Sequence, residues 1–403
     1  MSRKIRQAQS HAGLLLNGSV PVPGGANTRL DAIVVPAGRR ASALQEVITL
    51  SATLSVPLVI LCSLQAQLGQ VVERVKRTFG ARALVVQMPE RYELPCDAPL
   101  TSAKVFQEAS AGRSSDLSAK RNIGLLLGRM RGWNKILFID DDISQFDPWD
   151  VDRLAGYLDR HPVASMVSRE FPDNSVVCHA RRLAGFKQDV FVSGAALGVN
   201  LRHPELSFFA DVYNEDWFFF ARHAARRSLP KIGEVKQARY RPFADPGRAD
   251  REEFGDILAE GLYAVFETTP RWTFDEQLGM ASNSSYWRDF KDIRLDTITE
   301  TMKALSNAQP SASPMDYVKT LDAQASLQVA QERAESIAPD LYVEFIANWQ
   351  EDERRWRKML HRFPSALSER HALAELGLTK WASCGYGLPT EAEADLAAAG
   401  AVG

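Results

Sequence analysis

The chain has 403 residues, 45% of them hydrophobic and 24% charged, with a formal net charge of −2. That length suits one large α/β domain with an appendage, and the balanced charge excludes a protein built to coat nucleic acid or an anionic membrane. The composition also excludes a collagen-like, disordered or disulfide-stapled chain.

Four scattered cysteines, Cys62, Cys96, Cys178 and Cys384, contain no Cys-x-x-Cys pair. They fit reduced thiols in a cytoplasmic setting. Near the N-terminus the apolar patch Leu14–Leu16 is too brief for a secretory signal. The most apolar run, Val47 to Cys62, is broken by Ser51, Thr53, Ser55 and Pro57, which argues against a transmembrane segment.

Residues 1–28, rich in Gly and Pro towards their end, are expected to form a flexible N-terminal arm. Then come a strand over Asp31–Pro36, a helix over Ala41–Leu54, a strand over Pro57–Cys62, a helix over Val71–Phe79 and a strand over Ala83–Gln87. This alternation predicts an α/β fold, with a mainly parallel sheet flanked by helices. Ser114, Ser115 and Asp116 offer N-caps for a helix running to about Arg131, which Gly132 closes. Lys135–Ile139 follows as a strand that ends in Asp140, Asp141 and Asp142. A second strand signal, Val190–Ser193, leads to a bend at Gly194, and a helix covers Phe218–Arg226. Beyond about residue 265 the spacing is helical, so 29–265 is read as the α/β domain. Residues 266–403 are read as a helical C-terminal region with a frayed Ala-rich tail.

The acids after Ile139 lie at the carboxyl end of a strand, where open α/β sheets bind ligands. Three adjacent carboxylates repel one another and call for a cation or for full solvation. On extended backbone Asp140 and Asp142 share a side and Asp141 points away. Hard oxygen donors of this kind suit Mg²⁺ or Mn²⁺, while a solvated acidic loop is the plainer alternative. Lys120, Arg121 and Asn122 stand near the positive end of the preceding helix, where an anion is favoured, although surface bases would look the same.

Ser118-Ala-Lys-Arg-Asn-Ile-Gly-Leu125, Lys135-Ile-Leu-Phe-Ile-Asp-Asp-Asp-Ile143, Gly194-Ala-Ala and Asn214-Glu-Asp-Trp217 stand in an order that resembles the family-2 glycosyltransferases, whose nucleotide-sugar-binding fold is called GT-A. The resemblance covers roughly residues 30–265. It implies a nucleotide-diphosphate sugar donor, an acceptor hydroxyl, and an Asp-x-Asp motif in which Asp140 and Asp142 hold Mn²⁺ or Mg²⁺. It also implies donor contacts at Pro36, Gly38, Arg39, Lys120, Arg121, Asn122, Asp140, Asp141 and Gly194. The acidic pair Glu215 and Asp216 becomes catalytic, with Asp216 the general base of an inverting reaction. The second strand ends in Cys62-Ser-Leu-Gln65 instead of the base-reading Asp of many relatives, which leaves the nucleobase open.

Two alternatives accompany this reading. Gly24-Gly-Ala-Asn-Thr-Arg-Leu30 resembles the glycine-rich signature of sugar-phosphate nucleotidyltransferases, although it precedes the first strand instead of following it. A non-catalytic binding or scaffold protein on the same fold is the other. The basic stretch Arg239, Arg241, Arg248 and Arg251 is either an anion dock or a set of ion pairs with Asp245, Asp250, Glu252 and Glu253.

Overall fold

A computed structural model describes residues 5, 7, 11–17, 27–95, 99–169, 175–187, 191–307 and 314–386. The described residues form one mixed α/β sheet of ten strands: β1 (Leu15–Asn17), β2 (Ala32–Ala37), β3 (Leu58–Cys62), β4 (Arg82–Gln87), β5 (Lys135–Ile139), β6 (Ile143–Ser144), β7 (Val163–Arg169), β8 (Val192–Asn200), β9 (Leu229–Gln237) and β10 (Trp381–Gly385). The order across the sheet is β1-β9-β7-β8-β5-β2-β3-β4-β10, and β6 pairs with β9 off this path. The centre, β5-β2-β3-β4, is parallel throughout.

The strands are continuous apolar runs because both faces are covered. Along β2, Ala32 and Val34 enter one core while Ile33 and Val35 enter the other, and β5 splits in the same way into Ile136 and Phe138 against Leu137 and Ile139. Helices Gln45–Leu54, Leu68–Lys76 and Pro148–Tyr157 cover the second face. Leu117–Arg131, Glu215–Ala225 and Gly247–Thr268 cover the first.

Helix Leu117–Arg131 lies very close to the sheet. A Cβ at Gly124 would stand 2.7 Å from Phe138 and 2.9 Å from Val34, and one at Gly128 would stand 2.4 Å from Leu201. Those two glycines let the helix settle onto β5 and β2, which carries Arg121 to the ends of the strands.

The region after residue 265 shares much of its core with the rest of the chain, while Ile298, Leu305, Ala323, Leu327 and Ala330 form a smaller cluster with Val176, Val177, Ala180 and Ala249. Trp287, Tyr342, Phe345 and Trp349 belong to the same cluster as Phe106, Phe218 and Phe254. Arg294, fully buried, pairs with Glu253 at 2.7 Å and Asp256 at 2.5 Å and locks helix Ser284–Asn307 onto Gly247–Thr268. The region is also not purely helical, since β10 pairs antiparallel with β4, Trp381 opposite Val86. The lead-in likewise contains an ordered piece: the apolar patch at Leu14–Leu16 joins the sheet as β1, with Leu15 opposite Leu229. The Ala-rich tail, residues 24–26 of the glycine-rich segment and the segment 308–313 lie outside the described residues.

Candidate active site

Strand β3 pairs with β2 as far as Ala37, whereas β5 stops at Val34. The chain leaves β2 outward on one side through β3 and β4, and β5 returns on the other, so a crevice opens between β2 and β5. Pro36, which has no N–H to offer a ladder, falls where β5 has already let go.

The three aspartates turn to different partners at this crevice. Asp141 Oδ2 accepts the backbone N–H groups of Gly38 at 2.6 Å and Arg39 at 2.7 Å, tying the loop after β2 to the end of β5. Arg39 then reaches over the pair, with Nε 3.3 Å from Asp141 and Nη2 2.7 Å from Asp142. Its side chain remains 46% exposed, so this guanidinium faces solvent as well as the acids. Gln237, at the end of β9, approaches Asp142 at 3.3 Å.

Asp140 faces inward. Nη2 of Arg121 lies 2.9 Å from both of its carboxylate oxygens, and Nη1 lies 2.6 Å from Glu215. The guanidinium is 2% exposed and stacks 5.4 Å from the Phe209 ring centroid. Burial acts against its charge, but Asp140, Glu215 and Asp216 more than compensate and hold it above its ordinary value. Burial pushes the Asp140 carboxyl up to about 7, against the pull of Arg121 and with the push of Asp142.

Asp216 stands in the first turn of helix Glu215–Ala225 and is 9% exposed. Its Oδ2 accepts the Gly194 N–H at 2.5 Å and its Oδ1 accepts the Trp217 N–H at 2.9 Å. Burial and the adjacent Glu215 raise it to about 6, with Arg121 pulling the other way. Gly194 lies within β8 where the pairing with β7 shifts register, from Val192 opposite Val167 to Leu197 opposite Ser165, so the strand is irregular there. Its lack of a side chain also serves packing, since a Cβ there would lie 2.6 Å from Arg121 Nη1.

The structure places Lys120, Arg121 and Asn122 at the floor of the crevice. All three are buried and hold protein partners, although Nε of Arg121 has no hydrogen-bond partner among the described residues. Lys120 Nζ donates to the Ala37 carbonyl at 2.9 Å and Ser63 Oγ at 2.6 Å, and pairs with Asp116 at 3.0 Å, fastening the ends of β2 and β3. Asn122 exchanges two 2.8 Å hydrogen bonds with the Phe209 backbone, as a neighbouring strand would. The Lys120 contacts brace the ends of β2 and β3 beneath the crevice. In the basic stretch two arginines form ion pairs, Arg251 with Asp245 at 2.5 Å and Arg248 with Glu252, while Asp250 and Glu253 pair instead with Arg333 and Arg294.

Several site residues carry no local sequence signal. Arg113, from the loop after the helix Lys104–Ala109, lies 3.3 Å from Asp211 and 4.0 Å from Glu215. Gln237 and Tyr263 come from a strand end and a helix interior. Only the tertiary fold brings them to Asp142 and Asp216.

Six carboxylates, those of Asp140, Asp141, Asp142, Asp211, Glu215 and Asp216, face three guanidiniums, those of Arg39, Arg113 and Arg121. The deficit of positive charge suits a cation. Among the described residues no three His, Cys, Asp or Glu side chains converge to hold a metal ion by themselves. The donor set nevertheless fits Mg²⁺ or Mn²⁺ bound through one or two carboxylates, with water and ligand phosphates completing the shell.

No family model matches the chain, and no curated protein matches it. Among solved structures it is similar to the mannosyltransferase PcManGT from Pyrobaculum calidifontis in complex with GDP-Man and Mn²⁺, at 12% identity, with a TM-score of 0.35, over 83% of this chain and 91% of that one. What the site can do rests on its own side chains.

Proposed function

We propose that this chain is a glycosyltransferase that moves a sugar from a nucleotide-diphosphate donor to an acceptor hydroxyl. The observation that carries the proposal is the juxtaposition, at the sheet's switch point, of the strand-end acids with a second, independently anchored carboxylate. Asp140 and Asp216 belong to different elements, and Arg121 with Glu215 sets them on one rigid frame.

In this reading Asp216 is the general base. The Gly194 and Trp217 N–H groups fix the carboxylate, and its raised value brings it nearer the working pH, where a base is most effective. It removes the acceptor proton as the hydroxyl oxygen attacks the anomeric carbon, and the bond to the nucleoside diphosphate breaks on the opposite face. A single displacement of that kind inverts the anomeric centre. Glu215 holds Arg121 in place.

Arg39 is the exposed cation at the crevice and is suited to bidentate capture of a phosphate. Asp142, and Asp140 beside it, would hold a divalent ion, which when bound offsets the charge developing on the departing diphosphate. Asp141 keeps the Gly38–Arg39 loop against them. No helix among the described residues is long and apolar enough to cross a membrane. A cytoplasmic setting with reduced thiols is part of the proposal.

Thermal-shift screening of nucleoside diphosphates and their sugars, with GDP-mannose among them, with and without Mn²⁺, tests this directly. A metal-dependent rise in Tm followed by release of nucleoside diphosphate is the expected outcome. Release of inorganic diphosphate from a nucleoside triphosphate and a sugar phosphate would make the chain a nucleotidyltransferase, and no stabilisation by any nucleotide would sink both readings.

A further inference from the structure

Strand β1 has only three residues, too few for its ladder with β9 to anchor the N-terminal segment alone. Leu14, fully buried in the main core, and His11 anchor it as well. The His11 imidazole is 7% exposed and meets three aromatic rings edge-on: Phe191 at 5.5 Å, Trp217 at 5.0 Å and Tyr263 at 5.4 Å. Those rings also touch one another, with Trp217 4.4 Å from Tyr263 and 5.2 Å from Phe191. Nε2 of His11 lies 3.3 Å from Glu260, which fixes the plane of the ring.

This aromatic set adjoins the proposed base. Trp217 is the next residue after Asp216, donates its N–H to Asp216 Oδ1, and through its carbonyl accepts the Tyr263 hydroxyl at 2.9 Å. The Asp216 carboxylate therefore has a tether on each side. One is the Gly194 N–H from the sheet, and the other is Trp217, whose indole is held by Phe191, Tyr263 and a residue from near the start of the chain. Edge-to-face contacts of this kind add specific orientation to plain burial.

We infer that His11 is a positioning residue: its ring completes the aromatic set around Trp217 and so holds the turn Glu215–Trp217 at the angle that keeps Asp216 on the Gly194 N–H. The inference rests, for its catalytic consequence, on the reading of Asp216 as the general base. Residues 11–17 are then part of the active-site frame.

Three variants of the full chain decide it: His11→Ala, His11→Phe and, as a remote core control, Leu373→Ala, whose side chain is fully buried. Hydrogen exchange followed by mass spectrometry is read on peptides spanning 212–220. Local opening sets these rates, so His11→Ala should speed the 215–218 amides about tenfold, His11→Phe should stay within about twofold of wild type, and Leu373→Ala should leave them unmoved. Unchanged exchange in His11→Ala, or equal acceleration in His11→Ala and His11→Phe, overturns the inference, and neither outcome depends on activity.

Turnover is measured separately, as nucleoside diphosphate release with the nucleotide sugar that stabilises the wild type. A misplaced base lowers kcat by about tenfold in His11→Ala while the donor KM stays within about twofold. Full kcat in a variant whose exchange has accelerated overturns the catalytic consequence. If the wild type releases no nucleoside diphosphate, the transferase reading fails, and the exchange measurement still decides the positioning role.

Discussion

Arg121 donates to Glu215 at 2.6 Å while the same guanidinium spans both oxygens of Asp140, so one buried side chain joins the helix that carries Asp216 to the strand that carries the acidic cluster. Removing one partner of such a buried network leaves uncompensated charge. Arg121→Ala should lose about 3–5 kcal/mol of stability by chemical denaturation, and a loss under about 1 kcal/mol would contradict the picture.

Arg39 should behave in the opposite way. It is half-exposed, and surface ion pairs contribute about 0–1 kcal/mol, so Arg39→Ala should barely change the denaturation midpoint. Nucleotide affinity, read by calorimetry, should nevertheless fall about tenfold if the guanidinium meets a phosphate. A variant that unfolds early and binds normally would reverse these roles.

Gly194→Ala tests packing against Arg121. The added methyl would have to stand 2.6 Å from Nη1, and overpacking of this sort costs about 1–3 kcal/mol. A crystal structure of the variant should show Arg121 displaced and the Asp216 contact to residue 194 lengthened.

Asp142→Ala should abolish the Mn²⁺-dependent part of the thermal shift with nucleotide. Asp141→Ala should loosen the Gly38–Arg39 loop and weaken binding with or without metal. Equal behaviour of the two variants would argue against unequal roles within the cluster.

Asp216 gives a pH signature with two opposite signs. As a base it works ionised, so kcat/KM should fall about tenfold per pH unit below about 6, and Asp216→Asn should lower kcat by about 10²–10⁴ while leaving nucleotide binding intact. For stability, the raised value means that the folded chain binds this proton more readily than the unfolded chain. That contribution is fully present below the ordinary carboxylate range and is lost as pH rises through about 6. The stability of wild type relative to Asp216→Asn should therefore decline between pH 4 and pH 7, as read from denaturation midpoints.

The central sheet was legible because buried parallel strands are uninterrupted apolar runs: β2, β3, β4 and β5 lie within a residue or so of their expected bounds. The grouping of Asp140, Asp142, Gly194 and Asp216 was also legible from their order. The orientation of polar side chains was not. The burial of Lys120, Arg121 and Asn122 was hidden because sequence does not reveal that Gly124 and Gly128 let their helix sink onto the sheet. Arg113, Gln237 and Tyr263 were invisible because each sits in an ordinary stretch and acquires its partner only across the fold. At Gly194 a glycine required by a neighbour's bulk leaves the same trace as one required by an irregular strand, and both are present there.

Both margins of the sheet are closed by segments distant in sequence: β1 waits for β9, and β10 returns to β4. On a ribosome the β4 margin stands open until Gly385 has emerged, and Leu15–Asn17 has no partner before Lys231. Unpaired strand margins are sticky, and long-range pairing is slow. Nascent chains stalled short of Trp381 should therefore aggregate or recruit chaperones even though every residue of the acidic crevice has already been made.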